Sequence, residues 1–125
     1  MDYGVAGNSG TNAIFLALKA LGIKEGDEVI LPDFTMIATA WAVSYTGATP
    51  IFVDCRDDLN IDPDKIEITE RTKAIIAVPI YGRKVDDKVY KLGIPVIEDM
   101  AEAHGIPPRG IISCYSFYGN KIVAT

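Results

Sequence analysis

Short, nearly uninterrupted apolar runs alternate along this chain with helix-like or polar stretches. Strands with so few polar positions are typical of sheets that are buried on both faces. Because parallel strands need long crossover connections, which are usually helical, this alternation predicts an α/β fold: a mainly parallel sheet with helices on both faces. The predicted strands are residues 28–31, 49–54, 73–78, 94–98 and 111–117.

Two stretches between the predicted strands have the length and composition of helices. Residues 12–21 (NAIFLALKAL) and 35–46 (TMIATAWAVSYT) are apolar almost all round, which predicts two buried helices. A glycine follows each of them, as is common after a helix end. Short helices are also predicted to start at Pro63 and to lie within residues 85–92.

Composition excludes several classes of protein. The 125 residues are 49% hydrophobic and 23% charged, which fits one globular domain and not a disordered chain. The net charge of −5 argues against a nucleic-acid or anionic-membrane partner, and no apolar run approaches the roughly 18 residues of a membrane span. Two distant cysteines and one histidine offer too few ligands for a zinc site, and we expect reduced cysteines and a cytoplasmic protein.

Ligands of open parallel sheets bind at the carboxyl ends of the strands, so residues near that edge are candidates for a site. Residues 7–11 (GNSGT) directly precede the first predicted helix. Their small side chains and the free N–H groups of a helix N-terminus suit an anion such as phosphate. Alternatively, Ser9 or Thr11 only caps the helix. The glycine spacing matches neither a dinucleotide fingerprint nor a Walker A loop.

A carboxylate and a lysine follow two of the predicted strands. Asp99 comes directly after residues 94–98, where it either faces a ligand or caps the next turn. Lys121 follows the last strand past a Gly-Asn turn. Most lysines are solvated surface residues, but a lysine withdrawn from water can form an imine with an aldehyde. A phosphate cradle, a carboxylate and a lysine at one sheet edge are the set that a pyridoxal phosphate (PLP) enzyme needs.

At these residues the sequence resembles the DegT/DnrJ/EryC1/StrS family of sugar aminotransferases, which are PLP enzymes of fold type I. The SFYGNK ending looks most like the branch that aminates 4-keto-6-deoxy sugars on nucleotides, the perosamine-synthase-like branch. The resemblance covers nearly the whole chain in the family's order, through NSGTNAIFLALKALGIKEGDEVILP, FTMIATAWAVSYTGATPIFVD, NIDPDKIE, RTKAIIAVPIYG, GIPVIEDMAEAHG and SCYSFYGNK.

The resemblance implies a role for each of three reactive side chains. Lys121 would hold PLP covalently and act as the general acid/base. Asp99 would pair with the pyridine nitrogen, and Glu102 matches a family Gln or Glu beside the ring hydroxyl. Lys121 also separates this chain from the family's dehydratases, which carry a histidine at that position.

The same resemblance implies a phosphate site and a stacking position. Ser116 would bind the phosphate together with Gly10 and Thr11. Met36 stands where the family usually has an aromatic residue against the ring. A thioether packs on a π face as well, although over a smaller area than an indole does.

The reaction implied by the resemblance moves an amino group from an amino acid, expected to be glutamate, to a keto group of a nucleotide-linked deoxysugar. A homodimer is implied too, because the family's active site borrows residues from both subunits. Two rival hypotheses remain open. One is an unrelated doubly wound domain for a nucleotide or phosphate compound, and the other is an inactive fragment or degenerate copy.

The resemblance further implies a shortened chain. Residues 1–125 are expected to form a partial PLP-binding large domain, with the C-terminal small domain absent. The connections between Gly82 and Gly93 and between Gly105 and Ile112 are shorter than in the family. We therefore expect the chain to be inactive as an aminotransferase by itself.

Overall fold

The structure is a computed structural model that describes residues 3–124. Its strands are β1 Glu28–Pro32, β2 Thr49–Val53, β3 Thr72–Ala77, β4 Val96–Asp99 and β5 Ile112–Cys114. They form one five-stranded sheet in the order β2-β1-β3-β4-β5, and every neighbouring pair is parallel. The predicted α/β class is confirmed, and the sheet is entirely rather than mainly parallel.

The two faces of the sheet are covered differently. The helices α1 (Gly10–Ala20) and α2 (Ile37–Ser44) pack on one face, where their buried side chains share an apolar cluster with alternate strand residues. The second face is covered by connections that carry the 3-10 turns Pro63–Lys65 and Val89–Lys91. Helical cover on the second face therefore consists of short turns.

Two predicted helices are longer than the observed ones. The helix predicted for residues 35–46 begins only at Ile37. The helix predicted within residues 85–92 is reduced to a single 3-10 turn. There, Asp86 Oδ1 accepts the N–H of Lys88 at 2.8 Å. An aspartate that bonds the backbone two residues ahead favours a turn over a helix.

The prediction of full burial is wrong for the outer face of α2. Ile37, Trp41 and Tyr45 follow one another at a spacing of four residues and are 52%, 51% and 62% exposed. We call these three residues the outer stripe. Side chains four apart share one side of a helix, and only the opposite side of α2 meets the sheet and α1. When a helix is apolar on every side, its sequence does not indicate which side packs against the sheet.

A buried carboxylate joins two connections on the second face. Glu98 of β4 accepts hydrogen bonds from Tyr90 Oη at 2.7 Å, Ser113 Oγ at 2.8 Å and the Arg109 N–H at 2.9 Å. Burial opposes ionisation, but these donors and the N–H of Gly110 outweigh it and hold the pKa of Glu98 below its usual value. The carboxylate therefore fixes the β3–β4 and β4–β5 connections to each other.

We predict that Gly110→Ala destabilises this junction. A Cβ at Gly110 would lie 2.6 Å from the carbonyl oxygen of Val96 and 2.9 Å from Glu98 Cγ, so the backbone would have to move. Overpacking of this kind costs about 1–3 kcal/mol. Urea denaturation followed by circular dichroism measures the loss. The control is Gly119→Ala, because a Cβ there meets nothing within 4 Å. Equal midpoints for the two variants would contradict the close approach.

Candidate active site

The carboxyl ends of β4 and β5 lie side by side at one edge of the sheet. Asp99, the last residue of β4, stands in register with Cys114, the last residue of β5. The strand predicted for residues 111–117 ends early, because after Cys114 the chain leaves the sheet and brings Ser116 next to the start of α1. Two of the three predicted site elements, the carboxylate and the anion cradle, thus lie at this edge.

The start of α1 and Ser116 form a cradle of hydrogen-bond donors. Ser9 caps the helix by accepting the N–H of Asn12 at 3.2 Å, whereas no acceptor within residues 3–124 takes the N–H of Gly10 or Thr11. A Cβ at Gly10 would lie 3.0 Å from Ser116 Cβ and 3.4 Å from its Oγ, so glycine allows the hydroxyl to approach closely. Free N–H groups at a helix start favour an anion. Capping and anion binding, offered as alternatives by the sequence, are compatible here.

A narrow cleft at the same edge collects four of the predicted side chains. It is lined by Thr35, Met36, Val78, Ile80, Asp99, Ala101, Glu102 and Lys121. The predicted residues among them come from three separate stretches of the chain. The fold therefore brings together Met36, Asp99, Glu102 and Lys121, and the other three predicted residues form the cradle.

The carboxylate at the floor of this cleft is buried. Asp99 is 7% exposed, and it accepts hydrogen bonds from Thr39 Oγ1 at 2.7 Å and from the N–H of Ala101 at 3.2 Å. Burial raises the pKa of Asp99 above its usual value, while these two donors and the positive charge of Lys121 act in the opposite direction. A buried carboxylate with so few donors favours a cationic partner.

Lys121 and Glu102 line the cleft around Asp99. The N–H of Lys121 donates to the Tyr118 carbonyl at 2.8 Å, and its ammonium group forms no ion pair with any residue that the structure describes. Glu102 Oε2 accepts the N–H of Tyr81 at 3.2 Å. Tyr81 has a left-handed φ of 51°, which is unusual for a residue other than glycine.

Met36 and Thr39 extend the site along α2. Met36 precedes the helix and is 60% exposed, so its thioether is accessible to a flat group in the cleft. Thr39 was not among the predicted site residues. Its signal in the sequence is a hydroxyl within the first turn of a largely apolar helix, at a position that proves fully buried.

The residues present fit PLP. The cradle suits a phosphate, the buried carboxylate suits a protonated ring nitrogen, and the exposed thioether suits the face of a ring. A lysine beside them suits an aldehyde. Among residues 3–124, no group of three or more His, Cys, Asp or Glu residues is placed to hold a metal ion. Fold and site together are those of the PLP-binding domain of fold type I.

Comparison with known proteins gives the family. The sequence model of the DegT/DnrJ/EryC1/StrS aminotransferase family matches residues 1–125, and the chain belongs to that family. It is 43% identical to GDP-perosamine synthase of Escherichia coli O157:H7, over 100% of this chain and 38% of that protein. It is 47% identical to UDP-N-acetyl-3-dehydro-alpha-D-glucosamine 3-aminotransferase of Acidithiobacillus ferrooxidans, over 95% of this chain and 36% of that protein.

Solved structures agree with the fold and with the cofactor. S. venezuelae DesV superimposes with a TM-score of 0.88 at 42% identity, over 94% of this chain and 36% of DesV. NtdA of Bacillus subtilis, solved with bound cofactor PMP, gives a TM-score of 0.87 at 38% identity, over 93% of this chain and 29% of NtdA. Spr1654 of Streptococcus pneumoniae, solved in its PLP-form, gives a TM-score of 0.87 at 32% identity, over 94% of this chain and 38% of that chain. These neighbours confirm fold type I and pyridoxal phosphate as the family's cofactor.

The chain spans little more than a third of the length of the relatives that it matches. Within residues 3–124, no helix has both the length and the apolar character needed to cross a membrane. The matched third contains every residue that the sequence predicted for the site.

We predict that Gly10→Ala weakens PLP binding at least about tenfold, the effect of losing one hydrogen bond to a charged group. The added methyl group would crowd Ser116 and displace its hydroxyl from the cradle. Titration with PLP, followed by absorbance, measures the dissociation constant. Gly7→Ala is the matched control, since a Cβ there meets only the Ser9 carbonyl oxygen at 3.9 Å. Equal affinities for the two variants would exclude the cradle as the phosphate site.

Proposed function

We propose that this chain is the cofactor-binding core of a PLP-dependent aminotransferase that acts on nucleotide sugars. The observation that carries the proposal is the cleft, where Met36, Asp99, Glu102 and Lys121 meet at the sheet edge. The names of the relatives support the substrate class. GDP-perosamine synthase and the dTDP-3-amino-3,4,6-trideoxy-alpha-D-glucose transaminase of Streptomyces venezuelae are both named for a nucleotide sugar.

Each side chain of the cleft has one task in this proposal. When bound, PLP supplies a ring that accepts an electron pair from the amino donor. Asp99, ionised, holds a proton on the ring nitrogen, because opposite charges at short range favour each other. Glu102 orients the ring hydroxyl. Lys121 Nζ would hold the aldehyde end of the cofactor and, once the amino donor has displaced it, would carry the proton taken from the α-carbon of that donor. Met36 packs against the face of the ring.

The cradle fixes the other end of the cofactor. The N–H groups of Gly10 and Thr11 and the hydroxyl of Ser116 donate to the phosphate. An anchored phosphate and a ring nitrogen held by Asp99 leave the ring a single orientation, which points its aldehyde at one lysine. Such positioning is a large part of how enzymes lower a barrier.

The proposed acceptor is the keto group of a nucleotide-linked deoxysugar, and the proposed donor is an amino acid, with glutamate as the first choice. Residues 1–125 are proposed as a partial PLP-binding large domain, which accords with a match to 38% of the length of GDP-perosamine synthase. A cytoplasmic location is supported by two cysteines that are both free. We expect no amino transfer by the purified chain alone, so PLP binding, followed by the absorbance of the cofactor, separates this proposal from the alternative of an inactive fragment or degenerate copy.

We predict that PLP followed by borohydride reduction labels Lys121 above all other lysines. Lys121 is the lysine that lines the cleft with Asp99 and Glu102. Peptide mapping by mass spectrometry locates the label. Lys121→Ala should lose the specific adduct, and Lys121→Arg should lose it while keeping the positive charge.

The comparison lysines are exposed and lie elsewhere. Lys24 lies outside the cleft, while Lys73 and Lys88 already bond the Glu70 carbonyl and Asp64. A label spread over these three residues, with Lys121 no more modified than they are, would overturn the proposed role of Lys121.

A homodimer is part of the same proposal, with the outer stripe of α2 as its contact. Three large apolar side chains in a row, each more than half exposed, form an apolar patch of the kind that marks protein–protein contacts. Phe34 and Met36, exposed beside the start of α2, continue the apolar surface toward the cleft. A second copy of the chain covering this surface would approach the active site, which accords with a site shared between subunits.

We predict that Trp41→Lys abolishes self-association of the chain. A charge in the middle of the outer stripe would have to be buried without a partner in the dimer. Size-exclusion chromatography with light scattering measures the mass. Leu16→Lys is the control, because Leu16 of α1 is also exposed, at 49%, but lies outside the stripe. A parent chain that runs as a monodisperse monomer, or a Leu16→Lys variant that dissociates equally, would contradict the proposed contact.

A further inference from the structure

The hydroxyl of Thr39 makes a hydrogen bond to a residue outside its own helix. Thr39 is fully buried in α2, where a threonine is a weaker helix former than alanine. A threonine in a helix commonly bonds the carbonyl four residues back, as Ser44 does here with Ala40 at 3.2 Å. The Thr39 hydroxyl instead crosses to the sheet and donates to Asp99 Oδ2 at 2.7 Å.

The direction of this hydrogen bond fixes the direction of a second one. A hydroxyl has one proton to donate, and an ionised carboxylate can only accept. Since Thr39 donates to Asp99, the contact of 3.2 Å between the hydroxyls of Thr35 and Thr39 must run from Thr35 to Thr39. The result is a chain of donors that leads from the lining of the cleft to the buried carboxylate, and each bond polarises the next.

Both oxygens of the carboxylate are held. Oδ2 accepts the Thr39 hydroxyl, and Oδ1 accepts the N–H of Ala101 at 3.2 Å. The first bond comes from α2 and the second from the turn after β4, so the plane of the carboxylate is fixed between two elements. Thr39 is the only side chain that donates to Asp99 among the residues described.

We propose that Thr39 is a positioning residue, which orients the Asp99 carboxylate toward the ring nitrogen of PLP and keeps it ionised. This inference rests on the proposed function, in which Asp99 pairs with that nitrogen. Thr39 itself lies behind Asp99 and does not line the cleft.

Burial and the neighbouring charges set the pKa of Asp99, and the Thr39 hydroxyl favours the ionised carboxylate. Burial raises the pKa of Asp99, and the Thr39 hydroxyl is the strongest of the influences that lower it. Lys121 lowers the pKa of Asp99 from across the cleft, and Glu102 raises it. On the neighbouring strand, burial and then the negative charge of Asp99 raise the pKa of the Cys114 thiol. Without Thr39, the Ala101 N–H and Lys121 alone would oppose protonation.

The test compares Thr39→Val, which removes the hydroxyl and keeps the shape, with Thr39→Ser, which keeps the hydroxyl. Thr46→Val is the matched control, because Thr46 is also buried but donates to the Val43 carbonyl at 2.7 Å, away from the site. In the cofactor-free chain, carbon-13 NMR of the aspartate carboxyls follows the protonation of Asp99, assigned with Asp99→Asn. In the PLP-loaded chain, absorbance against pH gives the affinity and the pH midpoint of binding.

We expect Thr39→Val to move the Asp99 titration to higher pH and to weaken PLP binding roughly 10- to 100-fold, the range for a lost hydrogen bond to a charged group. Thr39→Ser and Thr46→Val should behave like the parent. An Asp99 titration that is unchanged in Thr39→Val, or a loss of affinity that Thr46→Val shares, would overturn the inference. The NMR titration needs no cofactor, so a failure to label Lys121 would overturn the proposed function without altering this result.

Discussion

A buried carboxylate at the carboxyl edge of a parallel sheet is the constraint on which the site depends. Asp99 ends β4, with β3 and β5 on either side. Because all five strands run the same way, the segments that follow them converge there: the start of α2, the turn after β4 and the segment leading to Lys121. Two of these segments donate hydrogen bonds to Asp99, through the Thr39 hydroxyl and the Ala101 N–H. The third carries the ammonium group of Lys121, whose charge lowers the pKa of Asp99. In the proposed complex, a charged ring nitrogen would complete the set, since a buried carboxylate is stable only with adequate partners.

Glu98 and Asp99 are neighbouring buried carboxylates that differ in how many hydrogen-bond donors surround them. They point to opposite faces of β4, as successive strand residues do. Glu98 has donors on both oxygens from two connections and is held ionised, with its pKa lowered. Asp99 has two donors and deep burial, and its pKa is raised. The carboxylate with more donors stabilises the fold, and the more deeply buried one with fewer donors is the one suited to a cationic ligand.

Much of this could be predicted from the sequence, because strands buried on both faces are read directly from apolar runs. The positions of Asp99 and Lys121 follow from the rule that ligands gather at strand ends, and the family resemblance added Met36 and Glu102. Side-chain pairing across elements could not be predicted. The Thr39–Asp99 bond joins residues sixty apart, and only the packing of α2 against this face of the sheet brings them together. The side of α2 that stays exposed could not be assigned for a related reason, since an apolar pattern around a whole helix does not say which side is covered.

The central claim is that these residues form a single PLP site, and a crystal structure of the chain grown with PLP tests it most directly. The account predicts the phosphate on the N–H groups of Gly10 and Thr11 and the Ser116 hydroxyl, with the ring nitrogen at hydrogen-bonding distance from Asp99. It also predicts the ring against Met36 and electron density continuous with Lys121 Nζ. Density for PLP on surface lysines, with an empty cleft and the Asp99 carboxylate turned away from it, would contradict the account.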